Sequence, residues 1–214
     1  MPGRDLVIAV DGPAASGKGT IAKALAAHYR LPHMDTGLLY RATALNLMEM
    51  GGDPDSEFAA ARATDLSQID FDDPQLKSEL VGGIASRISL YPHVREALFE
   101  RQTRFAGQEG GAVLDGRDIG TVIAPKADAK LFVTASPEVR AQRRFAELKR
   151  LGLDVHYQDV LADIHARDER DSNRSAAPLL PAPDAEILDT SEMTIEAAIE
   201  RAIALVEARA ELTR

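Results

Sequence analysis

The residues best suited to chemistry near the start of the chain are three glycines and a lysine in one short segment. Glycine allows backbone N–H groups to turn toward a common centre, and the lysine adds a full positive charge. Such an arrangement binds phosphate, particularly between the end of a strand and the start of a helix. The segment therefore predicts a P-loop that binds a nucleoside triphosphate. Its residues are Gly12, Pro13, Ala14, Ala15, Ser16, Gly17, Lys18, Gly19 and Thr20.

Two side chains of this loop have expected roles of their own. Lys18 is expected to reach the outer phosphates, and the Thr20 hydroxyl to lie near the accompanying Mg²⁺. The strict pattern has Ser or Thr directly after the lysine, but Gly19 stands there, so Thr20 is expected to act through water. We expect Asp115 to help orient the water shell of the metal. The alternatives for that acid are Asp189 and Asp35.

Arginines recur in three further segments, each beside a distinctive neighbour. The guanidinium group pairs with phosphate in a two-pronged way, so these arginines predict a second, phosphate-bearing substrate. A small kinase therefore fits better than a GTPase switch, whose guanine-reading motif has only a poor match at 125–128. The three segments are 35–41, 115–120 and 167–174.

Short apolar runs alternate with helical patterns along the chain. The runs predict strands buried on both faces, and the alternation predicts an α/β fold with a parallel sheet. Ligands of such a sheet bind at the carboxyl ends of its strands, where the P-loop and Asp115 follow. The predicted strands are 6–10, 112–114, 129–133 and 186–190. The predicted helices are 18–29, 37–50, 91–107, 137–151, 157–172 and 194–211.

Two segments receive plain structural interpretations. The charged, then Ala- and Pro-rich stretch 168–183 is interpreted as exposed and mobile. A basic run in the helix 137–151 is interpreted as a solvated face, with packing of Arg143 near the ATP base as an alternative. The members of this run are Arg140, Arg143, Arg144, Lys149 and Arg150.

Composition narrows the class of protein. There is no cysteine, which excludes disulfides, cysteine-ligated metals and a cysteine nucleophile. The 25 Lys and Arg stand against 34 Asp and Glu, and this net charge of −9 disfavours nucleic-acid binding. No apolar run approaches the ~20 residues of a membrane span, and the first residues do not form a signal peptide. We therefore expect a soluble, cytoplasmic protein without membrane or nucleic-acid partners.

These segments, in this order, resemble the bacterial cytidylate kinases, a family of P-loop nucleoside monophosphate kinases. The resemblance covers nearly the whole chain, including the glycine after Lys18. It implies direct, in-line, Mg²⁺-dependent transfer of a phosphoryl group from ATP to CMP or dCMP, giving ADP and CDP or dCDP. The matching stretches are 11–20, 35–41, 86–98, 115–121 and 167–179.

The resemblance also assigns individual residues to the substrates. It implies that the P-loop binds ATP and that four cations act in catalysis: Lys18, Arg117, Arg170 and Arg174. The residues that it implies for CMP are Thr36, Tyr40, Arg41, Ser86, Arg95, Arg117, Asp118, Arg167, Asp171 and Arg174.

The implied contacts fit the chemistry of a cytidine nucleotide. Ser86, Arg95 and Asp118 would face the cytosine, whose amino donor beside ring acceptors matches a carboxylate with an arginine. Uracil carries a carbonyl in place of that amino group, so Asp118 would meet an acceptor, a mismatch of about 1–3 kcal/mol. Arg41 and Arg117 would hold the acceptor phosphate. The remaining implied contacts are those of Arg167 and Asp171 with the ribose and of Arg174 with the phosphates in transfer.

The implied architecture is a single P-loop kinase domain over 1–214, in three layers, with a parallel sheet of about five strands flanked by helices. Residues 53–90 would form a small helical insert that binds the nucleoside monophosphate, and 157–183 a mobile, arginine-rich lid. The protein would be a monomer whose partners are ATP, CMP and dCMP, with Mg²⁺ as cofactor. The alternatives are a UMP/CMP or other small-molecule P-loop kinase and an ATP-dependent switch protein.

Overall fold

A computed structural model describes residues 5–212 as alternating strands and helices. The strands are β1 Leu6–Asp11, β2 His33–Asp35, β3 Gly111–Gly116, β4 Ala129–Thr134 and β5 Glu186–Asp189. The helices are α1 Lys18–Tyr29, α2 Thr36–Glu49, α3 Glu57–Arg62, α4 Glu79–Ile88, α5 Pro92–Ala106, α6 Pro137–Arg150, α7 Tyr157–Ser172 and α8 Ile195–Leu212. Short helical turns at Pro74–Lys77 (3₁₀) and Ile119–Ile123 (π) complete the described elements.

The five strands form one sheet in the order β2-β3-β1-β4-β5. The pairings of β1 with β3, β1 with β4 and β4 with β5 are parallel. The predicted α/β fold with a parallel sheet flanked by helices is therefore confirmed. The carboxyl ends of β1 and β3 are neighbours, since Asp11 lies opposite Gly116 in the register. This places the P-loop next to the loop after β3.

The chain divides into two compact units. One contains the residues up to Met34 and those from Ala106 onward, and the other is Asp35–Phe105. The second unit extends further in both directions than the insert predicted at 53–90. Residues 53–90 themselves contain α3, the 3₁₀ turn and α4, so they are helical as expected. The description of the chain as a single kinase domain stays a prediction.

The core of the first unit is built on the central strands. All six residues of β3 are buried, as are Ile8 and Val10 of β1. Ile21 and Leu25 of α1 and Ala202 and Val206 of α8 pack into the same apolar cluster. Strands covered on both faces bury successive side chains, which explains why these strands appear in the sequence as continuous apolar runs.

Two strands depart from the sequence prediction. β2 was not predicted, because His33–Asp35 is short and partly polar. β5 was predicted as a strand buried on both faces, but it lies at the edge of the sheet, and Ile187 and Asp189 are exposed. The other strand and helix bounds agree with the prediction to within about two residues. In the part of the chain from 5 to 212, no helix is both long and apolar enough to span a membrane.

In the second unit, α2 packs against α3 and α4. The carboxylate of Asp35 caps α2 by accepting a hydrogen bond from the Leu38 N–H at 3.3 Å. Ser56 and Ser78 cap α3 and α4 in the same way. Such caps satisfy N–H groups that have no partner inside the helix, and so define where each helix begins.

Candidate active site

The P-loop connects β1 to α1 and has an unusual backbone. Gly12, Ala15 and Gly17 have φ angles of +151°, +58° and +89°. Where residues with positive φ stand next to residues with negative φ, neighbouring N–H groups turn to the same side and form an anion-binding concavity. At position 12 only glycine fits, because a Cβ there would lie 2.0 Å from the carbonyl oxygen of Val133.

The carbonyl groups of this loop are bound by the loop's own lysine and by donors from other segments. The Pro13 carbonyl accepts from Lys18 Nζ at 3.4 Å, and the Ala14 carbonyl accepts from Arg140 Nη1 at 3.2 Å. The Ser16 carbonyl accepts from Arg143 Nη1 at 3.4 Å and Thr190 Oγ1 at 3.1 Å. In a trans peptide the next N–H points away from the carbonyl, so these bonds direct the loop amides to the opposite side.

Arg140 and Arg143 correct the interpretation of the basic run in α6 as a solvated face. Arg140 is only 2% exposed. Arg143 donates to the Ser16 carbonyl of the P-loop and to the hydroxyl and carbonyl oxygens of Thr190. The alternative for Arg143, packing near the ATP base, stays a prediction. The sequence did contain a signal, because Arg140 lies in the first turn of α6, where the helix dipole disfavours a cation without another partner.

The loop after β3 is anchored to the start of the P-loop. The buried carboxylate of Asp11 accepts hydrogen bonds from the N–H groups of Ile119 at 2.8 Å and Gly120 at 2.7 Å. Burial raises the pKa of Asp11 to about 6, although these two bonds and Lys18 act in the opposite direction. The anchor sets the position of the preceding segment, which contains Arg117 and the buried Asp118.

Arg117 meets the end of α7 in the first unit. Its Nε donates to Asp171 Oδ2 at 2.8 Å. Burial alone would raise the pKa of Asp171, but Arg117, Arg174 and Arg167 outweigh it and hold that pKa below its ordinary value. Burial and the nearby charge of Arg117 lower the pKa of Arg167. Asp171 is thus hydrogen-bonded to Arg117 and lies within the electrostatic influence of Arg167 and Arg174, a concentration of positive charge suited to an anionic ligand.

This arrangement also corrects the interpretation of 168–183 as an exposed stretch. Asp171, Arg174, Leu179 and Ala182 are all buried. Helix α7 continues to Ser172, and the backbone N–H of Leu179 donates to the Asp171 carbonyl at 2.8 Å, so the chain folds back on the end of the helix. Arg170, also on α7, is half-buried.

The second unit joins Arg95 to Tyr40 and holds Arg41 at a separate set of contacts; the resemblance assigns all three residues to CMP. Arg95 Nη1 donates to the Tyr40 hydroxyl at 3.4 Å. Arg41 Nη1 donates to the carbonyls of Leu76 at 2.8 Å and Ser78 at 3.1 Å. The guanidinium of Arg41 lies over Gly82 in α4, where a Cβ would come within 2.7 Å of it.

The two other residues that the resemblance assigns to CMP in this unit differ in burial. Thr36 is buried at the start of α2. Ser86 is half-buried on α4, and its carbonyl accepts from the Ser89 hydroxyl at 2.8 Å.

The three acids considered for the metal differ in their surroundings. Asp115 is buried at the end of β3, and Gly19 stands beside it, since a Cβ on Gly19 would be 3.7 Å from Asp115 Oδ2. Its Oδ1 lies 2.7 Å from Nε2 of His33, a neighbour that the sequence analysis missed. Asp189 accepts from the N–H and hydroxyl of Ser191, and Asp35 caps α2. The carboxylate of Asp115, at the end of β3, and the exposed Thr20 hydroxyl, at the start of α1, are hard oxygen donors and so fit Mg²⁺.

Comparison with known proteins gives consistent matches over most of the chain. Residues 8–208 match the family model described as cytidylate kinase. The cytidylate kinase of Methylocella silvestris is 56% identical over 94% of both chains. That of Xanthobacter autotrophicus is 57% identical over 95% of this chain and 98% of its own. That of Caulobacter sp. strain K31 is 55% identical over 94% of both chains.

A solved structure shares the fold at much lower identity. A protein of uncharacterised function from Eubacterium ventriosum superposes with a TM-score of 0.56 and 16% identity. The match covers 96% of this chain and 99% of the other. At this identity the likeness supports the fold alone.

Proposed function

The chain belongs to the cytidylate kinase family and transfers a phosphoryl group from ATP to CMP, giving ADP and CDP, and we propose that the residues described above carry out this transfer directly and in line. The observation that carries the proposal is that one unit contains both a P-loop whose carbonyls are held by side chains and three arginines, half-buried or buried, whose charges act on the carboxylate of Asp171. Phosphoryl transfer depends mainly on positioning and on neutralising charge.

The donor triphosphate is assigned to the P-loop. The N–H groups that face away from the bound carbonyls would hold the phosphates, together with the partial positive charge at the start of α1. Lys18 would neutralise the outer phosphates. We therefore assign the loop residues Gly12 to Thr20 as the contacts of ATP, the phosphate donor.

Mg²⁺ is assigned to oxygen donors at the end of β3 and the start of α1. Asp115 and Thr20 would hold it through its bound water. When bound, the ion would supply positive charge to the phosphates of ATP. His33 would keep the Asp115 carboxylate in one orientation through its hydrogen bond.

The acceptor is assigned to the residues that the family resemblance implies. Thr36, Tyr40 and Arg41 would bind the nucleotide, with Arg41 on the phosphate, and Ser86 and Arg95 would face the cytosine. Asp118 would accept from the cytosine amino group and Arg117 would bind the acceptor phosphate. The other proposed contacts are Arg167 and Asp171 with the ribose, and Arg174 and Arg170 with the phosphates in transfer.

Chemistry at neutral pH requires no general base on the enzyme. The acceptor phosphate of CMP is already largely ionised there, because the second pKa of a phosphate monoester is about 6.

Water must still be excluded from the site, since otherwise ATP is hydrolysed. We assign the exclusion of water to 157–183, which would act as a lid. We assign binding of the nucleoside monophosphate to 53–90. We also propose that dCMP is accepted, and that the enzyme is a cytoplasmic monomer.

The test is ADP release from MgATP with CMP, dCMP, UMP, AMP or no acceptor. We expect fast turnover with CMP and dCMP, slower turnover with UMP, and little without an acceptor. Equal rates with CMP and UMP would contradict the assignment of base recognition to Asp118 and Arg95. Release of ADP that no nucleotide changes would contradict the assignment of the arginines to an acceptor.

A further inference from the structure

One buried guanidinium group connects the P-loop to α7. Arg140, in α6, donates from Nη1 to the Ala14 carbonyl at 3.2 Å and to Asp168 Oδ1 at 2.9 Å. Its Nη2 donates to Asp168 Oδ2, and its Nε donates to the Ala135 carbonyl at 2.9 Å. The side chain is 3% exposed. All three donor nitrogens of one rigid, planar group are therefore engaged, on three separate segments.

Asp168, which binds Arg140, lies on α7 next to the residues assigned to the acceptor. Asp168 follows Arg167 directly and precedes Asp171 by one helical turn, so both carboxylates project from neighbouring faces of the helix. Asp171 binds Arg117, in the loop after β3. Helix α7 is thus held at two points, by Asp168 to the P-loop and α6, and by Asp171 to Arg117.

Apolar packing between the same elements is less specific. Ala14, Ala141, Leu148, Val160 and Ile164 form one buried cluster that joins the P-loop, α6 and α7. Apolar contacts of this kind tolerate small shifts between elements, whereas a two-pronged arginine–carboxylate pair fixes both distance and direction. The pair therefore restricts both the distance and the direction of α7 relative to the P-loop more tightly than the apolar cluster does.

We propose that Arg140 and Asp168 are positioning residues that couple the P-loop to α7, so that the arginines on and after α7 are placed against the donor phosphates. The inference rests on the proposed function, because it gives α7 a part in phosphoryl transfer. The two residues act on different sides of the coupling. Arg140 supports both the P-loop and α7, whereas Asp168 supports α7 alone.

This division predicts different effects for substitutions at the two positions. Asp168→Asn leaves the Arg140 contact with Ala14 intact, so the affinity for MgATP should stay within about threefold of wild type. Misplaced arginines should lower kcat with CMP by about 10- to 100-fold and raise ADP release without acceptor relative to transfer. Arg140→Lys loses the fork, so it should show the same fall in kcat and, in addition, about tenfold weaker MgATP binding.

Binding is measured by titration calorimetry with the magnesium complex of a non-hydrolysable ATP analogue. Hydrogen exchange of α7 amides with and without that analogue provides a readout independent of turnover. We expect the analogue to protect α7 in the wild type and in Asp154→Asn, and to protect it much less in Asp168→Asn. Asp154→Asn is the matched control, since that carboxylate is 96% exposed and pairs with Lys149 at the surface.

Three outcomes would overturn the coupling. In the first, Asp168→Asn and Arg140→Lys both melt at a lower temperature, but the folded proteins keep wild-type kcat, KM and α7 protection. That result is expected if the pair is purely structural. The second is equal loss of MgATP affinity in both variants. The third is failure of Asp168→Glu, which keeps the charge, to recover any part of what Asp168→Asn loses. Failure of the proposed function is distinguishable, because it would appear as absent CMP phosphorylation in the wild type.

Discussion

The cations that we assign to the phosphates should contribute mainly to turnover and little to folding. Lys18 Nζ donates to the Pro13 carbonyl at 3.4 Å, and Arg174 is buried near Asp171, whose pKa it helps to lower. We expect Lys18→Ala and Arg174→Ala each to lower kcat with CMP by about 10³-fold or more, because charge neutralisation is the main catalytic contribution.

The control for these substitutions is Lys23→Ala, which removes an exposed cation from the same helix as Lys18. Steady-state rates are compared on proteins shown to be folded by circular dichroism. Wild-type turnover in either catalytic variant would contradict the assigned roles.

Asp118 should determine the choice of base. Its carboxylate can accept from the cytosine amino group but not donate to the uracil carbonyl. Asp118→Asn introduces an amide donor, so the ratio of kcat/KM for UMP to that for CMP should rise by about 10- to 100-fold, which corresponds to 1–3 kcal/mol. Competition between the two acceptors measures this ratio directly. An unchanged ratio would exclude Asp118 from base recognition.

Asp11 and Asp171 should give stability opposite dependences on pH. Burial raises the native pKa of Asp11 from 3.8 to about 6, so the folded state holds this proton more strongly. Its contribution is therefore present below about pH 4 and is lost as the pH rises through 6, a change of about 3 kcal/mol for two pKa units. The pKa of Asp171 is lowered instead, so its contribution is present above 3.8 and is lost as the pH falls through the native value.

The measurement is the free energy of urea unfolding between pH 3 and pH 8. The advantage of wild type over Asp11→Asn should shrink with rising pH, whereas its advantage over Asp171→Asn should grow. Parallel pH profiles for the two differences would contradict these pKa directions.

At the scale of elements, the P-loop depends on close backbone packing against β4. A Cβ at Gly12 would lie 2.0 Å from the Val133 carbonyl oxygen, and φ is +151° there. Gly12→Ala must therefore move the loop or the strand, so we expect loss of MgATP binding and destabilisation of about 2–4 kcal/mol. Calorimetric titration and urea unfolding measure the two effects.

Gly83→Ala is the matched control for that change. Position 83 lies in α4, and a Cβ there meets nothing within 4 Å. Because alanine is the better helix former, the variant should be more stable than wild type by about 0.5–1 kcal/mol, with unchanged MgATP binding. Equal effects at the two glycines would show that loop geometry is not the cause at position 12.

At the scale of the whole molecule, an acidic chain binds anionic substrates. The net charge is −9, so general attraction cannot bring nucleotides to it, and the local arginine group must supply the field. Bound CMP, to which Arg117 and Arg167 are assigned, should relieve the mutual repulsion of these two arginines. Because a ligand that binds only the folded state stabilises it by mass action, we expect MgATP at 100 times its dissociation constant to stabilise the fold by about 2.7 kcal/mol.

A rise in melting temperature of several degrees is the corresponding readout. Arg30→Gln, which removes an exposed cation after α1, should shift as wild type does. Lys18→Ala should shift less at the same MgATP concentration. A shift of the same size in Lys18→Ala would contradict the assignment of that lysine to the phosphates.

The sequence by itself determined the features that depend on neighbouring residues. The P-loop could be predicted because its nine residues are consecutive, and their backbone freedom and charge act together. The central strands and most helices could be predicted because burial on one or both faces leaves a periodic pattern. The arginines of the candidate site stood out because each lies in a short segment of distinctive composition.

Only the tertiary structure decided which distant groups hold those segments in place. Arg140 binds Ala14 across 126 positions, Thr190 binds Ser16 across 174, and Asp11 binds Ile119 across 108. No local pattern encodes such pairs, because they arise when parallel strands bring the ends of separate segments to one edge of a sheet. For the same reason Arg140 was mistaken for a surface residue, and β2 and the contact of His33 with Asp115 were not foreseen.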